Sequence, residues 1–391
     1  MRHLSVLGAT GSIGRAALEV ASAFPDRFRV VALAAGRSVE KLAEQIARHQ
    51  PRLVSVERRE DVARLETLLA PGTPPRVVYG SEGLEEVATF ADADTVLGGL
   101  VGALGLRSAF AAVSAGKRLA LANKEPLVVA GELILREAAK SGAEIVPVDS
   151  EHSAIHQALR CGSPSEVKKL ILTASGGPFR ERDMATFETI TVEDALAHPT
   201  WKMGPKISVD SATMMNKGLE IIEAHFLFGV PSDAIDVVIH PQSAVHSLVE
   251  FVDGSLVAQL ARNDMKLPIL YALAYPDRVA AAFGRLDLVA LGRLEFFGLD
   301  PHRYPAVALA RETLAAGGGS PAVLNAANEV AVEAFLEGKI SFPGIVHVVS
   351  DAVAAAGRVP APSDIEETER IDREARLLAA GIVRQLVGVA S

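Results

Sequence analysis

The spacing of apolar and polar positions changes character along the chain and divides it into successive stretches. In the first 150 residues, short apolar runs alternate with amphipathic ones. Leu4–Leu7, Phe28–Ala35, Leu53–Val56, Val77–Tyr79, Thr95–Leu100 and Leu119–Leu121 read as strands. The segment with Ala16, Ala17, Val20 and Phe24 on one face, Val39–His49 and Asp61–Leu69 read as helices, with a proline-rich turn at Pro71–Pro75. Continuous apolar strands alternating with helices predict a doubly wound parallel sheet of the Rossmann type. From residue 151 to about 285 the pattern mixes. Leu170–Leu172, Val237–His240, Val245–Val252 and Ser255–Leu260 read as strands, with a hairpin signal at Asp253-Gly254. A helix carries Met215, Leu219, Ile222 and Phe226 as its apolar stripe, with Asp210 or Ser211 as a candidate N-cap. Leu286–Pro305 is broken by Pro and Gly. Beyond it, Ala306–Ala316, Pro321–Glu337, Phe342–Ala356 and Asp364–Val387 predict a helical bundle. The expected organisation is an α/β chain: a dinucleotide-binding domain (1–150), a central α+β domain (151–285), a linker (286–311) and a C-terminal helical bundle (312–391).

Composition narrows the function. The 391 residues are 49% apolar and 22% charged, enough for two or three cored domains. A net charge of −9 argues against general affinity for nucleic acid or anionic membranes, so any phosphate site must be built locally. One cysteine, Cys161, excludes an internal disulfide framework and fits a reducing compartment. The longest apolar run, Thr95–Leu106, is too short and glycine-rich to span a bilayer, and no leader pattern opens the chain. The expectation is a soluble, cytoplasmic protein.

The candidate chemistry sits between the elements. Gly8-Ala9-Thr10-Gly11-Ser12-Ile13-Gly14 comes after a strand and opens a helix, the context in which a glycine turn holds a pyrophosphate on free helix amides. The second strand ends at Gly36-Arg37-Ser38, without the acidic residue that holds a ribose 2′-hydroxyl. Arg37 can pair with a 2′-phosphate instead, which favours NADP(H) over NAD(H). Lys124, in Asn123-Lys124-Glu125, comes just after a strand and is placed to meet a negative substrate or the nicotinamide end. In Val148-Asp149-Ser150-Glu151-His152, an extended backbone would aim Asp149 and Glu151 at one point, a pairing suited to Mg²⁺ or Mn²⁺. Ser175, in a Gly-rich turn, suits a phosphate. His198-Pro199-Thr200-Trp201-Lys202-Met203-Gly204-Pro205-Lys206 has the composition of a mobile lid that closes Trp201 over a ligand. Asn216, Lys217 and Glu220 share a helix face, with Ser211 at the helix start. Gly218 inside that helix signals a close approach.

Taken together and in this order, these stretches resemble the 1-deoxy-D-xylulose 5-phosphate reductoisomerase family nearly end to end. The resemblance implies a homodimer that uses NADPH and one Mn²⁺ or Mg²⁺ per subunit to isomerise a sugar phosphate, either by retro-aldol cleavage and re-addition or by a concerted shift, and then to reduce it by hydride transfer. It implies a metal held by Asp149, Glu151 and Glu220, with Lys124 beside them in the catalytic group. Lys124, Ser150 and Glu151 would contact the substrate's backbone oxygens. Ser175, His198, Ser211, Asn216 and Lys217 would take its phosphate end and nearby hydroxyls, under Trp201. Thr10, Gly11, Ser12, Ile13, Gly36, Arg37, Ser38, Asn123, Glu125 and Gly204 would bind NADPH. Ser38 departs from the asparagine common in the family. Two other readings fit parts of the pattern: a different NADP-dependent oxidoreductase of a phosphorylated substrate, without a strict metal requirement, and a non-enzymatic NADP(H) sensor, which would have no use for three convergent carboxylates.

Overall fold

In the computed structural model, which describes residues 1–69, 72, 74–201, 203–280 and 283–389, the chain forms two compact units. The first comprises residues 1–126, 134–153 and 264–284; the second comprises 127–133, 154–263 and 285–391. Two expected features fall partly outside the described residues: the Pro71–Pro75 turn, at Pro71 and Thr73, and the 198–206 lid, at Lys202.

The first unit is built on seven parallel strands: β1 (Arg2–Leu7), β2 (Phe28–Ala34), β3 (Leu53–Val56), β4 (Arg76–Tyr79), β5 (Thr95–Gly98), β6 (Arg118–Leu121) and β7 (Ile145–Pro147). Their order is β4-β3-β2-β1-β5-β6-β7, and every pairing is parallel. The order reverses between β1 and β5, the switch point at which open α/β sheets bind ligands beyond the strands' carboxyl ends. Helices α1 (Ser12–Ala23), α2 (Val39–His49), α3 (Arg59–Leu68), α4 (Gly80–Thr89) and α5 (Leu106–Ser114) connect the strands. Helix α6 (Glu125–Ser141) leaves β6, departs from helical geometry at Ala130 and contributes 127–133 to the second unit. Helix α7 (Ser150–Ala158) leaves β7. The apolar strands are covered on both faces, as their lack of alternation requires. Leu4, Val6, Leu33, Val54 and Leu97 join one core with Val20 of α1.

In the second unit, β8 (Val167–Ala174), β9 (Ile235–Ile239), β10 (Val245–Phe251), β11 (Leu256–Leu260) and β12 (Phe297–Gly298) make a mixed sheet in the order β11-β10-β8-β9-β12. Only β8 and β9 run parallel. Helices α8 (Val192–Leu196), α9 (Pro205–Thr213) and α10 (Met215–Phe228) lie between β8 and β9 in sequence. Helix α11 (Lys266–Ala274) returns to the first unit, where Ile269 and Leu270 enter its core. The segment read as a broken linker contains the short helix α12 (Leu288–Leu291) and strand β12. The four expected C-terminal helices are present as α13 (Pro305–Ala316), α14 (Ser320–Leu336), α15 (Phe342–Ala356) and α16 (Ile365–Val389). Leu324, Ala331, Phe335, Ile345, Val349 and Ala379 pack their interior. Among the described residues no helix is long and apolar enough to cross a membrane.

Two local expectations need correction. Asp149 and Glu151 are not two alternate positions of an extended strand. The chain turns into α7 at Ser150, the Glu151 amide donates to Asp149 Oδ1 (3.2 Å), and the Ser153 amide donates to the Asp149 carbonyl (2.8 Å). An Asp one residue ahead of a run of helix formers caps the helix more favourably than it extends the strand. Nor do Asp210 and Ser211 cap a helix. They lie inside α9, which ends where Met214 takes a left-handed φ of 61°, and α10 begins at the next residue.

Candidate active site

The first unit collects four sequence-predicted clusters beyond the carboxyl ends of its strands. After β1, the Gly11 amide donates to the Gly8 carbonyl (3.0 Å) and closes the tight turn. Thr10, Gly11, Ser12 and Ile13 then stand at the N-terminus of α1, where no side chain caps the first amides. Those amides and the helix dipole suit a pyrophosphate. A Cβ on Gly14 would lie 2.2 Å from the Gly8 carbonyl oxygen, so the glycine is what lets α1 sit against the strand end. After β2 come Gly36, Arg37 and Ser38, with Ser38 preceding α2. The Arg37 guanidinium pairs with Glu57, beyond β3, at 3.2 Å. Both side chains are exposed, and such a pair is worth only about 0–1 kcal/mol, so a 2′-phosphate can displace Glu57. Arg37→Ala is therefore expected to raise the KM for NADPH about tenfold while leaving that for NADH nearly unchanged, as read from initial rates with each cofactor.

After β6, Asn123, Lys124 and Glu125 are all buried. After β7 come Asp149, Ser150 and Glu151. Lys124 Nζ lies 2.6 Å from Asp149 Oδ2, and both groups are almost fully enclosed. Burial would push the Asp149 carboxyl up, but Lys124 and His152 outweigh it and hold the group well below the usual carboxylate range. Asp149 is thus an anion ready to ligate a cation. Ser150 Oγ donates to Glu151 Oε2 at 2.5 Å.

The second unit collects the rest. At the end of β8, Ser175 Oγ meets His198 Nε2 at 3.1 Å. The other ring nitrogen, Nδ1, accepts from the amides of Thr200 (3.2 Å) and Trp201 (3.0 Å). Two incoming N–H groups leave Nδ1 no room for a proton, so the ring proton sits on Nε2 and points toward Ser175. Burial lowers the His198 pKa, in agreement with a neutral ring. The folded form then binds no proton at His198 where the unfolded form begins to. Its contribution is complete above about pH 6.5 and is lost as the pH falls below that value. Unfolding midpoints of wild type and His198→Gln, compared from about pH 8 to about pH 5, should converge on acidification as the wild type loses this advantage.

Trp201 is half-buried, its ring 6.4 Å from that of His246, and Gly204 is the N-cap of α9. His198 to Trp201 thus form a histidine-centred turn, and Gly204 to Lys206 open a helix. Ser211 lies on α9, where a Cβ on Gly177 (φ 65°) would stand 2.8 Å from the Ser211 carbonyl oxygen. That glycine lets α9 press against the Ser175 turn. Tyr304, its phenol pushed up to about 12 by burial, donates to the Gly176 carbonyl (2.8 Å) and fixes the turn from behind.

On α10, Asn216 Nδ2 donates to Glu220 Oε1 at 2.5 Å, and Lys217 Nζ pairs with Oε2. Lys217 is 2% exposed and Glu220 1%. A surface ion pair would not be enclosed like this, and each carboxylate oxygen keeps a further lone pair for a metal. The close approach signalled by Gly218 is real, but its partner is α13: a Cβ there would stand 2.7 Å from that of Ala310. Sequence reasoning missed Glu57, Tyr304, and the pair of Asp210 on α9 with Asn328 on α14. Only Asn328 carried a signal, as an amide inside the apolar face of a helix.

Comparison with known proteins agrees along the whole chain. Family models described as 1-deoxy-D-xylulose 5-phosphate reductoisomerase, its C-terminal domain, and DXP reductoisomerase C-terminal domain match residues 4–131, 145–228 and 260–378 in turn. The 1-deoxy-D-xylulose 5-phosphate reductoisomerase of Symbiobacterium thermophilum is 50% identical over 378 residues, covering 96% of this chain and 97% of that one. The solved structure of the Zymomonas mobilis reductoisomerase in complex with NADPH superposes with a TM-score of 0.92 at 41% identity, over 98% of this chain and 99% of that one. A second solved structure, DOX-P reductoisomerase in complex with NADPH, fosmidomycin and magnesium, gives 0.94 at 41%, over 99% of both chains.

Proposed function

Because the chain belongs to the 1-deoxy-D-xylulose 5-phosphate reductoisomerase family, we propose that its own Asp149, Glu151 and Glu220 hold one divalent ion per subunit, Mn²⁺ or Mg²⁺, beside Lys124. The chain is an NADPH-dependent oxidoreductase. It carries out the NADPH- and divalent-metal-dependent conversion of 1-deoxy-D-xylulose 5-phosphate to 2-C-methyl-D-erythritol 4-phosphate, in the non-mevalonate route to isoprenoids. The metal assignment rests above all on the Glu220 carboxylate. It is buried and gripped by Asn216 and Lys217, and such a charge is costly unless its partners use it. When bound, the ion supplies Lewis-acid polarisation of the substrate's neighbouring carbonyl and hydroxyl oxygens.

The remaining roles belong to the chain's own groups. Lys124 keeps Asp149 ionised and, with Ser150 and Glu151, orients the substrate's backbone oxygens. Ser175, His198, Ser211, Asn216 and Lys217 take the phosphate end, far from the reacting carbons, and so supply orientation. Trp201 closes over the substrate and keeps water out. Thr10 to Ile13 take the pyrophosphate, and Gly36, Arg37 and Ser38 the 2′-phosphate. Asn123, Glu125 and Gly204 complete the NADPH contacts. The functional divisions at 1–150, 151–285 (lid 198–206), 286–311 and 312–391, the cytoplasmic location that the composition suggests and the homodimer that the family resemblance carries belong to the same proposal.

The test is the substrate-dependent loss of NADPH absorbance by the purified chain. Loss that stops with chelator and returns with Mn²⁺ or Mg²⁺ is the expected result. Loss indifferent to chelator would remove the metal from the reaction.

A further inference from the structure

We propose that Asn328, on α14 of the C-terminal bundle, is a positioning residue for the reaction: through the Asp210 carboxylate it sets the placement of α9, and with it the phosphate-end group Ser211. The observation is a buried chain of polar contacts that the assigned roles leave unused. Asn328 Nδ2 donates to Asp210 Oδ1 at 2.8 Å. The other carboxylate oxygen pairs with Lys206 Nζ at 2.7 Å. Asp210 is 1% exposed and Asn328 fully buried. Asn328 is flanked on α14 by Leu324, Ala327, Ala331 and Val332 of the core, and a second buried amide, Asn325, donates to Glu329 rather than to α9. An amide in that setting costs desolvation that an apolar side chain would avoid, and the contact it makes is highly directional.

What the contact fixes is specific. Lys206 lies in the first turn of α9, two residues beyond its N-cap Gly204. Asp210 lies one turn further on, next to Ser211. One carboxylate therefore ties the entry turn of α9 to α14. On another side α9 rests on the Ser175-Gly176-Gly177 turn, where Gly177 leaves no space for a Cβ against the Ser211 carbonyl. The helix is clamped between the bundle and the turn that carries Ser175. Its placement then sets the spacing between the Ser175 and Ser211 hydroxyls. Without the Asn328 contact, α9 keeps its sequence and its apolar packing but loses the polar stop that fixes its position, and a displacement well under 1 Å is enough to spoil a phosphate cradle.

The inference rests on the proposed phosphate-end role of Ser211, so Ser211→Ala is measured alongside. Asn328→Leu, of similar size, is expected to raise the KM for 1-deoxy-D-xylulose 5-phosphate roughly tenfold, the loss typical of a hydrogen bond to a charged group. The kcat and the NADPH dissociation constant should stay within about twofold, assayed well below the unfolding temperature. The exchanged pair Asp210→Asn with Asn328→Asp, which keeps one amide facing one carboxylate, should recover at least about threefold of the loss relative to Asp210→Asn alone. If Asn328→Leu does not fold, Asn328→Ser, too short to reach the carboxylate, is read by the same criteria. An unchanged KM in a folded variant overturns the proposal. So does a parallel loss of NADPH affinity, the mark of general loosening, or an exchanged pair no better than the single variant. If Ser211→Ala itself leaves the KM unchanged, the phosphate-end assignment has failed instead.

Discussion

Glu220→Gln is expected to lower kcat by about a thousandfold or more while leaving NADPH affinity within about twofold. The substitution preserves shape and removes one negative charge. In the present arrangement the two Glu220 oxygens accept from Asn216 and Lys217. A glutamine offers one acceptor oxygen where there were two, turns an NH₂ toward one of the two donors, and contributes no charge to a divalent ion. Loss of the ion's stabilisation of developing charge is worth several kcal/mol, which corresponds to a thousandfold or more in rate. Steady-state rates and a fluorescence titration with NADPH, run on the same preparation, separate the two quantities. A variant that keeps a tenth of wild-type turnover would remove Glu220 from the metal site.

The second large effect lies at the cofactor turn. Gly14→Ala is expected to cost about 3 kcal/mol or more of unfolding free energy and to abolish tight NADPH binding. Its Cβ would be placed 2.2 Å from the Gly8 carbonyl oxygen and 2.6 Å from Ala9 Cα. Both are backbone atoms of the turn proposed to hold the pyrophosphate, so neither can yield without moving that turn. Gly11→Ala makes the control. Its Cβ meets only the Gly8 oxygen, at 3.2 Å. It should fold nearly as well as the wild type and lose NADPH affinity through crowding of the pyrophosphate alone. Denaturant unfolding and NADPH titration of both variants give the comparison. Equal stability of the two would contradict the packing role assigned to Gly14.

The strand and helix alternation of the first 150 residues was legible because most of the strands are short, largely apolar runs and most of the connections carry Gly, Pro or a polar residue near their start. The residues at the strand ends were legible for the same reason: a parallel sheet gathers the loops beyond its strands at one edge, so Thr10, Arg37, Lys124 and Asp149 could be brought together without knowing any distance. Other features were not legible. The turn of Asp149 into α7 depends on a capping contact that competes with extension on nearly even terms. The break between α9 and α10 falls at Met214, a residue with no propensity for the left-handed φ of 61° it adopts; tertiary packing imposes it. Helix α11 lies far along the sequence from the sheet whose core it completes, and its six buried residues run consecutively with no polar face to orient it. The pairing of Arg37 with Glu57 and that of Asp210 with Asn328 join residues 20 and 118 positions apart, beyond the reach of any local pattern.

The central claim is that carboxylates from two separate stretches of sequence, Asp149 with Glu151 and Glu220, ligate one ion. A titration of Mn²⁺ into the metal-free chain, monitored by the paramagnetic resonance of the free ion, measures it directly. The account predicts one tight site per chain in the wild type, with affinity falling at least about a hundredfold in Asp149→Asn and in Glu220→Gln alike while both variants still bind NADPH. Undiminished Mn²⁺ binding in either variant would contradict it.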